Sequence, residues 1–343
     1  MRVLAVNAGS SSLKLSLLDA DDSELWGREL AAPRAVVEAG AVAAALIELP
    51  ADPDVAGHRI VHGGERFRQA VVVDNRVEAA LRELTELAPL HQPKSLAALD
   101  AVRRALRNVP EVACFDTAFH ATLPPEAATY ALPPAWRERY GVRRYGFHGL
   151  SHAYAARAAG DARRIVTCHL GAGASLCAVL DGRSIDTTMG FTPLEGLVMA
   201  TRSGSVDPGL LLWLQRHEGI GSEEMADALE HESGLLGIAG TADMRELLAR
   251  NDRDAQLALG VYIHRLRAGI AAMVASLGGL DALVFTGGVG ERAARVRELA
   301  CAGLEHLGVG TPAVRVLTVE AREDLEIARQ ARALLQAGRL ERL

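Results

Sequence analysis

Residues 3–19 read VLAVNAGSSSLKLSLLD, and this stretch decides the fold. The apolar run from Val3 to Val6 predicts a buried strand, and the alternating leucines from Leu13 to Leu17 predict a second strand after a polar turn. A strand that ends in glycine and hydroxyl residues and then doubles back presents N–H and O–H groups at one point, which suits a phosphate group. An ordinary hairpin with a Ser-rich turn has the same pattern, so this stretch alone leaves both interpretations open.

The opening pattern returns in the middle of the chain. Residues 165–181 read IVTCHLGAGASLCAVLD, with the same spacing of strand, glycine turn and strand, and His169 stands where Asn7 stands in the first stretch. A repeat of this length is a stronger signal than either turn alone. We therefore predict an α/β fold of two duplicated domains, each offering a phosphate-facing hairpin to a shared central cleft.

The composition is that of a globular protein of about two domains. The chain has 343 residues, of which 49% are hydrophobic and 23% charged, with a net charge of -6. Its basic residues are scattered, which argues against a nucleic-acid surface, and no apolar run approaches the length of a membrane span. The four cysteines are far apart and no leader segment precedes the first strand. We therefore expect a cytoplasmic protein with reduced cysteines and no membrane partner.

The rest of the pattern predicts strands that alternate with helices. Further strands are expected at residues 24–30, 55–61, 112–115, 183–188, 282–286 and 314–317. Helices are expected at residues 36–49, 77–87, 95–106, 152–159, 209–218, 222–231, 243–248, 254–277 and 322–335. Residues 117–150 are rich in proline and glycine and predict loops, after which Ser151 is expected to cap a helix. Residues 287–290 predict a turn, with a helix beginning near Arg292.

Polar residues accumulate where the predicted strands end, which is where ligands bind in open α/β sheets. They are Asn7, the serines 10–12, Arg59, His62, Asp116, His148, His169, Gly171, Gly173, Arg202, Asp243, Arg245 and residues 287–291. Three glycine-rich strand ends with Arg, His and Asp between them indicate phosphoryl transfer, whereas no P-loop or dinucleotide-binding motif occurs. Each residue alone also fits a surface ion pair, a turn or a cap, so the prediction depends on their joint occurrence.

These residues lie in motifs that resemble the acetate kinases, in the acetate and propionate kinase family of the sugar-kinase, heat-shock-chaperone and actin superfamily. The matching stretches are VLAVNAGSSSLKLSL (3–17), GHRIVHGGE (57–65), LAPLHQP (87–93), CFDTAFH (114–120), RRYGFHGLSH (143–152), CHLGAGASL (168–176), MGFTPLEGLVMATRSGSVDPG (189–209), TADMR (241–245), FTGGVGE (285–291) and EDLEIAR (323–329). They follow one another in order over nearly the whole chain, so the resemblance is specific.

The resemblance implies two actin-like (ribonuclease H-like) domains, expected at residues 1–116 with 324–343 and at residues 117–323. It implies reversible, direct in-line phosphoryl transfer from ATP to acetate, giving acetyl phosphate and ADP. It also implies Mg²⁺, or Mn²⁺ in its place, at positions matching Asn7 and Glu323. The second domain would hold the nucleotide and the interface of a homodimer.

The resemblance also implies roles for single residues. Asp116, His148 and Arg202 would be catalytic. Arg59 would hold the substrate carboxylate. The pocket for the acyl methyl group would be formed by Val61, Leu90, Phe147 and Pro193. The nucleotide would contact Lys14, His169, Leu170, Gly171, Ala172, Gly173, Asp243, Met244, Arg245, Gly288, Val289, Gly290, Glu291 and Arg292.

Elementary chemistry agrees with these roles. A carboxylate is already a nucleophile at neutral pH, so the site must position two anions rather than remove a proton. We therefore expect Asp116 to orient an arginine or the water shell of the metal. The β-branched Val61 is expected to narrow the acyl pocket and to favour acetate over propionate.

The chain departs from the family pattern in three ways. It is several tens of residues shorter than is typical, Ala172 replaces the usual Asn of the phosphate turn, and Arg292 replaces the usual Asn after GGVGE. These changes bear on nucleotide affinity and rate more than on the type of reaction. Two alternatives stay open, namely a kinase for propionate or butyrate on the same fold and a non-metabolic actin-like or chaperone-like ATPase. The latter would have no reason to keep Arg59 and the apolar pocket.

Overall fold

The computed structural model describes residues 1–9, 12–31, 38–88 and 91–340. The chain divides into two compact units, the first formed by Met1–Ala121, Gly149–Tyr154 and Arg322–Leu343 and the second by Thr122–His148 and Ala155–Ala321. Residues 117–121, 149–154 and 322–323 thus belong to the first unit, whereas the sequence placed them in the second domain. One local cause is a backbone hydrogen bond of 2.9 Å from the Gly149 N–H to the Asp116 carbonyl.

Eleven strands form two sheets in the described part of the chain. They are β1 (Val3–Ala8), β2 (Ser12–Leu18), β3 (Glu24–Ala31), β4 (Val55–Ile60), β5 (Val71–Val72), β6 (Glu111–Phe115), β7 (Arg164–Leu170), β8 (Ala174–Leu180), β9 (Arg183–Thr187), β10 (Ala282–Thr286) and β11 (Arg315–Thr318). The first sheet has the order β3-β2-β1-β4-β6-β5 and the second has the order β11-β10-β7-β8-β9. In each, an antiparallel three-strand meander is followed by two strands parallel to its first strand. The predicted duplication of one α/β plan is therefore confirmed.

Fourteen α-helices lie between these strands in the described ranges. They are α1 (Ala39–Ile47), α2 (Asn75–Glu83), α3 (Gln92–Ala105), α4 (Pro125–Ala128), α5 (Pro134–Tyr140), α6 (Gly149–Ala158), α7 (Pro208–His217), α8 (Ser222–Asp227), α9 (Gly234–Ala239), α10 (Met244–Ala249), α11 (Arg253–Leu277), α12 (Gly287–Arg292), α13 (Ala294–Cys301) and α14 (Glu323–Leu340). Short 3₁₀ turns occupy Leu84–Leu87, Ala118–Thr122 and Glu305–Leu307, and Ala228–Glu232 is π-helical.

Alternation along β1 explains how the first sheet is covered on both faces. Leu4 and Val6 point into a cluster with residues of α1 and α3, whereas Val3 and Ala5 point into a cluster that includes Ile327 of α14. A continuous apolar run such as Val3–Val6 is typical of a sheet buried on both sides. The carboxyl ends of its strands are therefore held between helices, which is the arrangement that positions ligand sites in such folds.

Several local predictions were wrong for identifiable reasons. Residues 117–148 are not all loop, because Pro125 and Pro134 each start a short helix, where proline loses no hydrogen bond. Ser151 does not cap the following helix, since α6 begins at Gly149 with His148 at its N-cap. Residues 287–290 lie within α12, which ends at Arg292, rather than in a turn. The helix expected to begin near Arg292 is α13, which begins at Ala294. Strand β5 and helix α9 were not predicted.

Helix α11 corrects the expectation about membrane spans. Its 25 residues, with a mean hydropathy of 1.3 in one window, make it long and apolar enough to cross a membrane by length and composition alone. Its residues Tyr262, Leu266 and Ile270 are buried. The core helix of a globular domain has this same composition, so the finding is weak as a sign of a membrane span.

Candidate active site

The first group of functional side chains lies where β1, β4 and β6 end in the first unit. Arg59 of β4 binds Asp116, which directly follows β6, through a fork in which Nε lies 3.1 Å from both carboxylate oxygens and Nη2 lies 2.6 Å from Oδ2. Arg59 Nη1 also donates to the carbonyl of Ala8 at 2.8 Å. Only 12% of the Arg59 side chain and 1% of the Asp116 side chain are exposed. The end of β1 and the end of β6 are thus joined through one guanidinium.

The charge on this pair is set by opposing effects. Burial acts against the charged guanidinium, but the carboxylates of Asp116 and Glu323 outweigh it and raise the pKa of Arg59. Burial also disfavours the charged form of Asp116, which for a carboxyl means a raised pKa. The Arg59 guanidinium opposes that rise. The described contacts use three of the five guanidinium N–H groups. Two N–H groups of Arg59 therefore stay available for an anionic oxygen.

Asn7 and Glu323 lie together beside that pair. Asn7 Nδ2 donates to Glu323 Oε2 at 2.7 Å, and Asn7 Oδ1 is buried without a hydrogen-bond partner in the described structure. Lys14 is paired with Asn7 across β1 and β2 and is exposed. No group of three or more His, Cys, Asp or Glu side chains suited to a metal occurs among the described residues. The serines 10 and 11, which we expected to contribute to this turn, lie outside the described residues.

The second group surrounds the β7–β8 turn in the second unit. The rings of His148 and His169 stack with their centroids 4.3 Å apart. A Cβ atom added to Gly173 would lie 3.3 Å from His148 Cε1 and 3.4 Å from Arg202 Nη1. The missing side chain of Gly173 is therefore what allows an imidazole and a guanidinium to lie against the turn.

His148 has an unusual backbone conformation. Its φ of 57° lies in the left-handed region, which side chains other than glycine seldom adopt and which costs about 1–2 kcal/mol. Its Nδ1 lies 2.9 Å from the Ser175 hydroxyl of β8. Such strain is maintained where the surroundings hold a residue in place, and it is frequent at functional sites.

Arg202 is held from the side away from the turn. Its Nε lies 2.9 Å from Glu230 Oε2, and the two side chains are 15% and 12% exposed. The loop around Arg202 packs on Gly234, which has a φ of 63° and where a Cβ would lie 2.3 Å from the Met199 carbonyl. Glu230 belongs to the π-helical segment, and π-helical turns are frequent at functional sites.

Apart from Lys14 of the first unit, the predicted nucleotide residues occupy three places in the second unit. In the β7–β8 turn, Leu170 is buried, Gly171 donates to the Gly173 carbonyl at 2.9 Å, and the Ala172 carbonyl accepts from the Ala200 N–H at 3.1 Å. This last bond ties the turn to the loop that carries Arg202.

The second place is α12, which starts beside that turn. Gly287 has a φ of 78°, and a Cβ there would lie 2.8 Å from the Leu170 carbonyl. No atom lies within 4 Å of the Cβ position of Gly288. The predicted residues Gly288, Val289, Gly290, Glu291 and Arg292 all belong to this helix. Glu291 accepts the Ala321 N–H at 2.9 Å, and Arg292 is exposed.

The third place is the start of α10. Asp243 caps this helix by accepting the Arg245 N–H at 2.8 Å, and its carboxylate pairs with the Arg245 guanidinium at 2.6 Å. That side-chain bond is the main cause that lowers the pKa of Asp243 to about 2. Met244 between them is buried. A local cap and ion pair explain this sequence fully, so contact with a nucleotide stays a prediction.

Comparison with known proteins identifies the family. A family model described as the Acetokinase family matches residues 29–334. The chain belongs to this family. It is 47% identical over 320 residues to the acetate kinase of Nostoc punctiforme, which covers 85% of this chain and 79% of that protein. The predicted family, the fold class and the enzyme class, a phosphotransferase with a carboxyl acceptor, are confirmed.

Solved structures of the acetokinase type have the same fold. The crystal structure of Porphyromonas gingivalis acetate kinase matches with a TM-score of 0.87 at 34% identity, covering 97% of this chain and 99% of that one. A propionate kinase from Francisella tularensis subsp. tularensis matches with a TM-score of 0.85 at 32% identity, covering 96% and 98%. These two similarities are nearly equal, so they do not separate the two acids as substrates.

The residues predicted to contact the acyl group do not all belong to one unit. Val61 follows β4 in the first unit and is 5% exposed, whereas Phe147, 1% exposed, and Pro193 belong to the second unit. Leu90 lies outside the described residues. The Pro193 carbonyl lies 3.5 Å from Arg202 Nη1, which places it beside the predicted catalytic arginine.

Sequence reasoning missed two residues of the site, Ser175 and Glu230. Ser175 follows the glycine turn, and the strand pairing that sets it opposite His169 is not visible in the sequence. Glu230 lies 28 positions from Arg202 in a segment that was predicted as part of an ordinary helix. A buried guanidinium needs an acidic partner, so the prediction of Arg202 as a site residue implied that a carboxylate such as Glu230 would lie beside it.

Proposed function

We propose that this chain is an acetate kinase that transfers the γ-phosphoryl group of ATP directly to acetate and runs reversibly. The observation that supports this most strongly is the pair of guanidinium sites, Arg59 with Asp116 in one unit and Arg202 with Glu230 in the other. A reaction between two anions needs such groups, since each arginine can donate paired hydrogen bonds to carboxylate or phosphoryl oxygens.

In the first unit, Arg59 holds the acceptor carboxylate. Two of its N–H groups remain for that contact, and Asp116 fixes the plane of the guanidinium. The carboxylate needs no base, so Asp116 acts as a positioning residue. By resemblance to the family, Val61, Leu90, Phe147 and Pro193 would contact the acyl methyl group, and the β-branched Val61 would favour acetate.

In the second unit, His148 and Arg202 stabilise the phosphoryl group during transfer. The contact between His148 and Ser175 fixes the imidazole, and Glu230 fixes the Nε side of Arg202, so both groups are in place before charge develops. In this unit the nucleotide contacts the turn from His169 to Gly173, the start of α10 and the residues of α12; the family resemblance adds Lys14 of the first unit.

A magnesium ion fits the oxygen atoms available near β1. The buried Asn7 Oδ1 has no partner, and Glu323 adds a carboxylate, which suits an ion that keeps several water ligands. When bound, Mg²⁺ would offset the negative charge of the β- and γ-phosphate oxygens. Asn7 and Glu323 would hold it directly or through its water, and Mn²⁺ has the same preference for oxygen.

We also place the enzyme in the cytoplasm as a homodimer that forms through the second unit. Leu210, Leu212 and Trp213 of α7 are between 46% and 50% exposed, which is an apolar surface suited to an interface. Light scattering during gel filtration measures the mass of the assembly, and a monomer at micromolar concentration would contradict this part of the proposal.

The experiment that tests the activity is an acyl-phosphate assay by hydroxamate trapping. The purified chain is supplied with ATP and Mg²⁺ and with acetate, propionate or butyrate, and kcat/KM is compared. We expect the highest value with acetate, although one methylene changes binding by only about 1–3 kcal/mol. A clear preference for butyrate would contradict the substrate. ATP hydrolysis without any carboxylate product would favour an actin-like ATPase instead.

A further inference from the structure

Lys94 is a buried cation that the proposed reaction leaves without a role. It lies in the first turn of α3 and is 4% exposed, and its Nζ is buried without a hydrogen-bond partner among the described residues. The hydroxyl of Ser95, the next residue, is also buried and unpartnered. An ammonium group taken out of water needs an opposite charge or several hydrogen bonds to be stable.

The choice of lysine at this position is itself informative. The chain contains 35 arginines and only two lysines, Lys14 and Lys94. Lys14 lies in the phosphate-binding motif of β2, so both lysines occur beside the proposed site. Arginine binds through a planar fork, whereas lysine supplies a compact point charge with three donors that a single anionic oxygen can approach.

The first turn of α3 is fixed next to the strand that carries Arg59. The Gln92 side chain accepts the His62 N–H at 3.1 Å and donates to the His62 carbonyl at 3.2 Å, three residues after Arg59. Burial and the positive charge of Arg59 together lower the pKa of Lys94, so the two cations lie close enough to repel each other. The N-terminus of a helix of 14 residues adds partial positive charge at the same place.

The ammonium of Lys94 has no anionic partner of its own in the described structure. Asp116 already compensates Arg59, and Glu323 is bound to Asn7. No acidic side chain is bonded to Lys94 in the described structure. The carboxylate of a ligand would supply the partner that Lys94 lacks.

We propose that Lys94 is a further substrate-binding residue, whose ammonium, with the Ser95 hydroxyl, binds the carboxylate oxygens of the acceptor beside Arg59. This inference rests on the proposed function and adds a residue to it. Arg59 then supplies directional hydrogen bonds, and Lys94 supplies a compact positive charge that attracts a single carboxylate oxygen. In the reverse direction the same contact receives the acyl end of acetyl phosphate.

The test compares Lys94→Met with Arg104→Met, an exposed residue of the same helix that serves as the matched loss of one charge. For Lys94→Met we expect KM for acetate to rise about tenfold or more, with kcat and KM for ATP within about twofold of the wild type, as for the loss of one charged hydrogen bond. The melting temperature of the free protein should stay the same or rise, because an unpaired buried charge is removed. Lys94→Gln is measured beside it in case Met packs poorly.

A pH series gives a second readout that a structural lysine would not affect. In the wild type, KM for acetate should rise with increasing pH as the ammonium loses its proton, and in Lys94→Met this rise should be absent. An unchanged KM for acetate, a lowered melting temperature as the only effect, or an increase in KM for ATP alone would each overturn the proposal.

Binding without turnover separates this proposal from the proposed reaction. Sodium acetate, compared with sodium chloride at equal ionic strength, should raise the melting temperature of the wild type and of Arg104→Met, and raise that of Lys94→Met less. If the wild type lacks kinase activity yet shows this protection, the proposed function fails and the carboxylate site stands. Equal protection of all three proteins would overturn the site.

Discussion

The two units place different chemistry on one backbone plan. At the end of β1, the first unit gathers an amide and two carboxylates around one arginine, with Asn7 bonded to Glu323 and Arg59 bonded to Asp116. The oxygen atoms suit a cation, and the remaining N–H groups of Arg59 fit the proposed binding of the acceptor carboxylate. The arginine is nearly enclosed, so its partner is part of the core of the unit as well as of the site.

At the end of β7, the second unit gathers two imidazoles and an arginine around glycine. His148 and His169 stack, and Arg202 lies against Gly173 with Glu230 behind it. This group has several hydrogen-bond donors and one carboxylate, a balance that suits the binding of an anionic phosphoryl group. Duplication thus supplied the scaffold twice. Under the proposed function, the side chains at the equivalent strand ends serve the acceptor half of the reaction in the first unit and the phosphoryl half in the second.

The two hairpins also differ by one residue in register. Ala8 pairs with Leu13 in the first hairpin, whereas Leu170 pairs with Ala174 in the second, so the second turn is one residue shorter. A shift of one residue exchanges which side chains share a face of the sheet. Consequently Lys14 faces Asn7 in the first unit, and it is Ser175 rather than Leu176 that occupies the corresponding place in the second.

The largest effect is expected from Asp116→Asn, which removes the ion pair with Arg59 in the first unit. The change leaves the buried Arg59 without its countercharge and should destabilise the fold by about 3–5 kcal/mol, as for one broken half of a buried ion pair. The rate constant kcat should fall about a hundredfold or more, because the guanidinium loses its fixed orientation. Urea unfolding and the acyl-phosphate assay measure the two effects.

Asp100→Asn is the matched control for this change. Asp100 pairs with Arg82 at 2.8 Å, but these side chains are 29% and 47% exposed, and such pairs contribute about 0–1 kcal/mol. Near-normal turnover of Asp116→Asn with an unchanged dependence on Mg²⁺ would contradict the positioning role of Asp116.

The features that were predictable from sequence are those with strong local patterns. Period-two alternation marked β2, the continuous apolar runs marked β1 and β7, and the spacing of the repeat predicted the duplicated plan. Asp181 and Gly182 join β8 to β9 with φ angles of 48° and 77°, the left-handed conformation that Asp-Gly pairs favour in two-residue hairpin turns. The motifs were sufficient for the family because they recur in order along the chain.

The features that were not predictable depend on contacts between distant segments. Equal spacing in the sequence concealed the difference in register, so Ser175 was overlooked. Glu230 reaches Arg202 only because residues 228–232 form a π-helical turn, which no local pattern indicates. The prolines at 125 and 134 indicated loops because the same residue type both breaks helices and starts them.

A smaller effect is expected from Glu230→Gln in the phosphoryl half. The change keeps the shape but weakens the bond that holds Arg202, so kcat should fall about tenfold while KM for acetate stays near its normal value. Stability should change less than in Asp116→Asn, because Arg202 is more accessible than Asp116. Glu232→Gln, on an exposed neighbour, is the control and should behave as the wild type. A kcat within twofold of normal for Glu230→Gln would mean that Arg202 needs no such support.

The smallest expected effect is a loss of stability at acidic pH, and it arises in the first unit. Burial lowers the pKa of His62 in the first unit to about 4, from an ordinary 6.5, and its Nδ1 accepts the Gly64 N–H at 2.8 Å. Between these values the unfolded chain binds a proton that the folded chain does not, so stability falls as the pH drops from 6.5 towards 4. By pH 5.5 the loss should reach about 1 kcal/mol.

Urea titrations at pH 7.5 and pH 5.5 measure this loss, and His62→Gln should show a smaller difference between the two than the wild type. His217→Gln, on an exposed histidine of α7, should keep the full difference. Hydrogen exchange at pH 5.5 should show the loss of protection in β4 and α3, because Gln92 binds α3 to the backbone of His62. If His62→Gln and the wild type lose stability equally, the acid response comes from other groups, and the first unit is not the more acid-sensitive half.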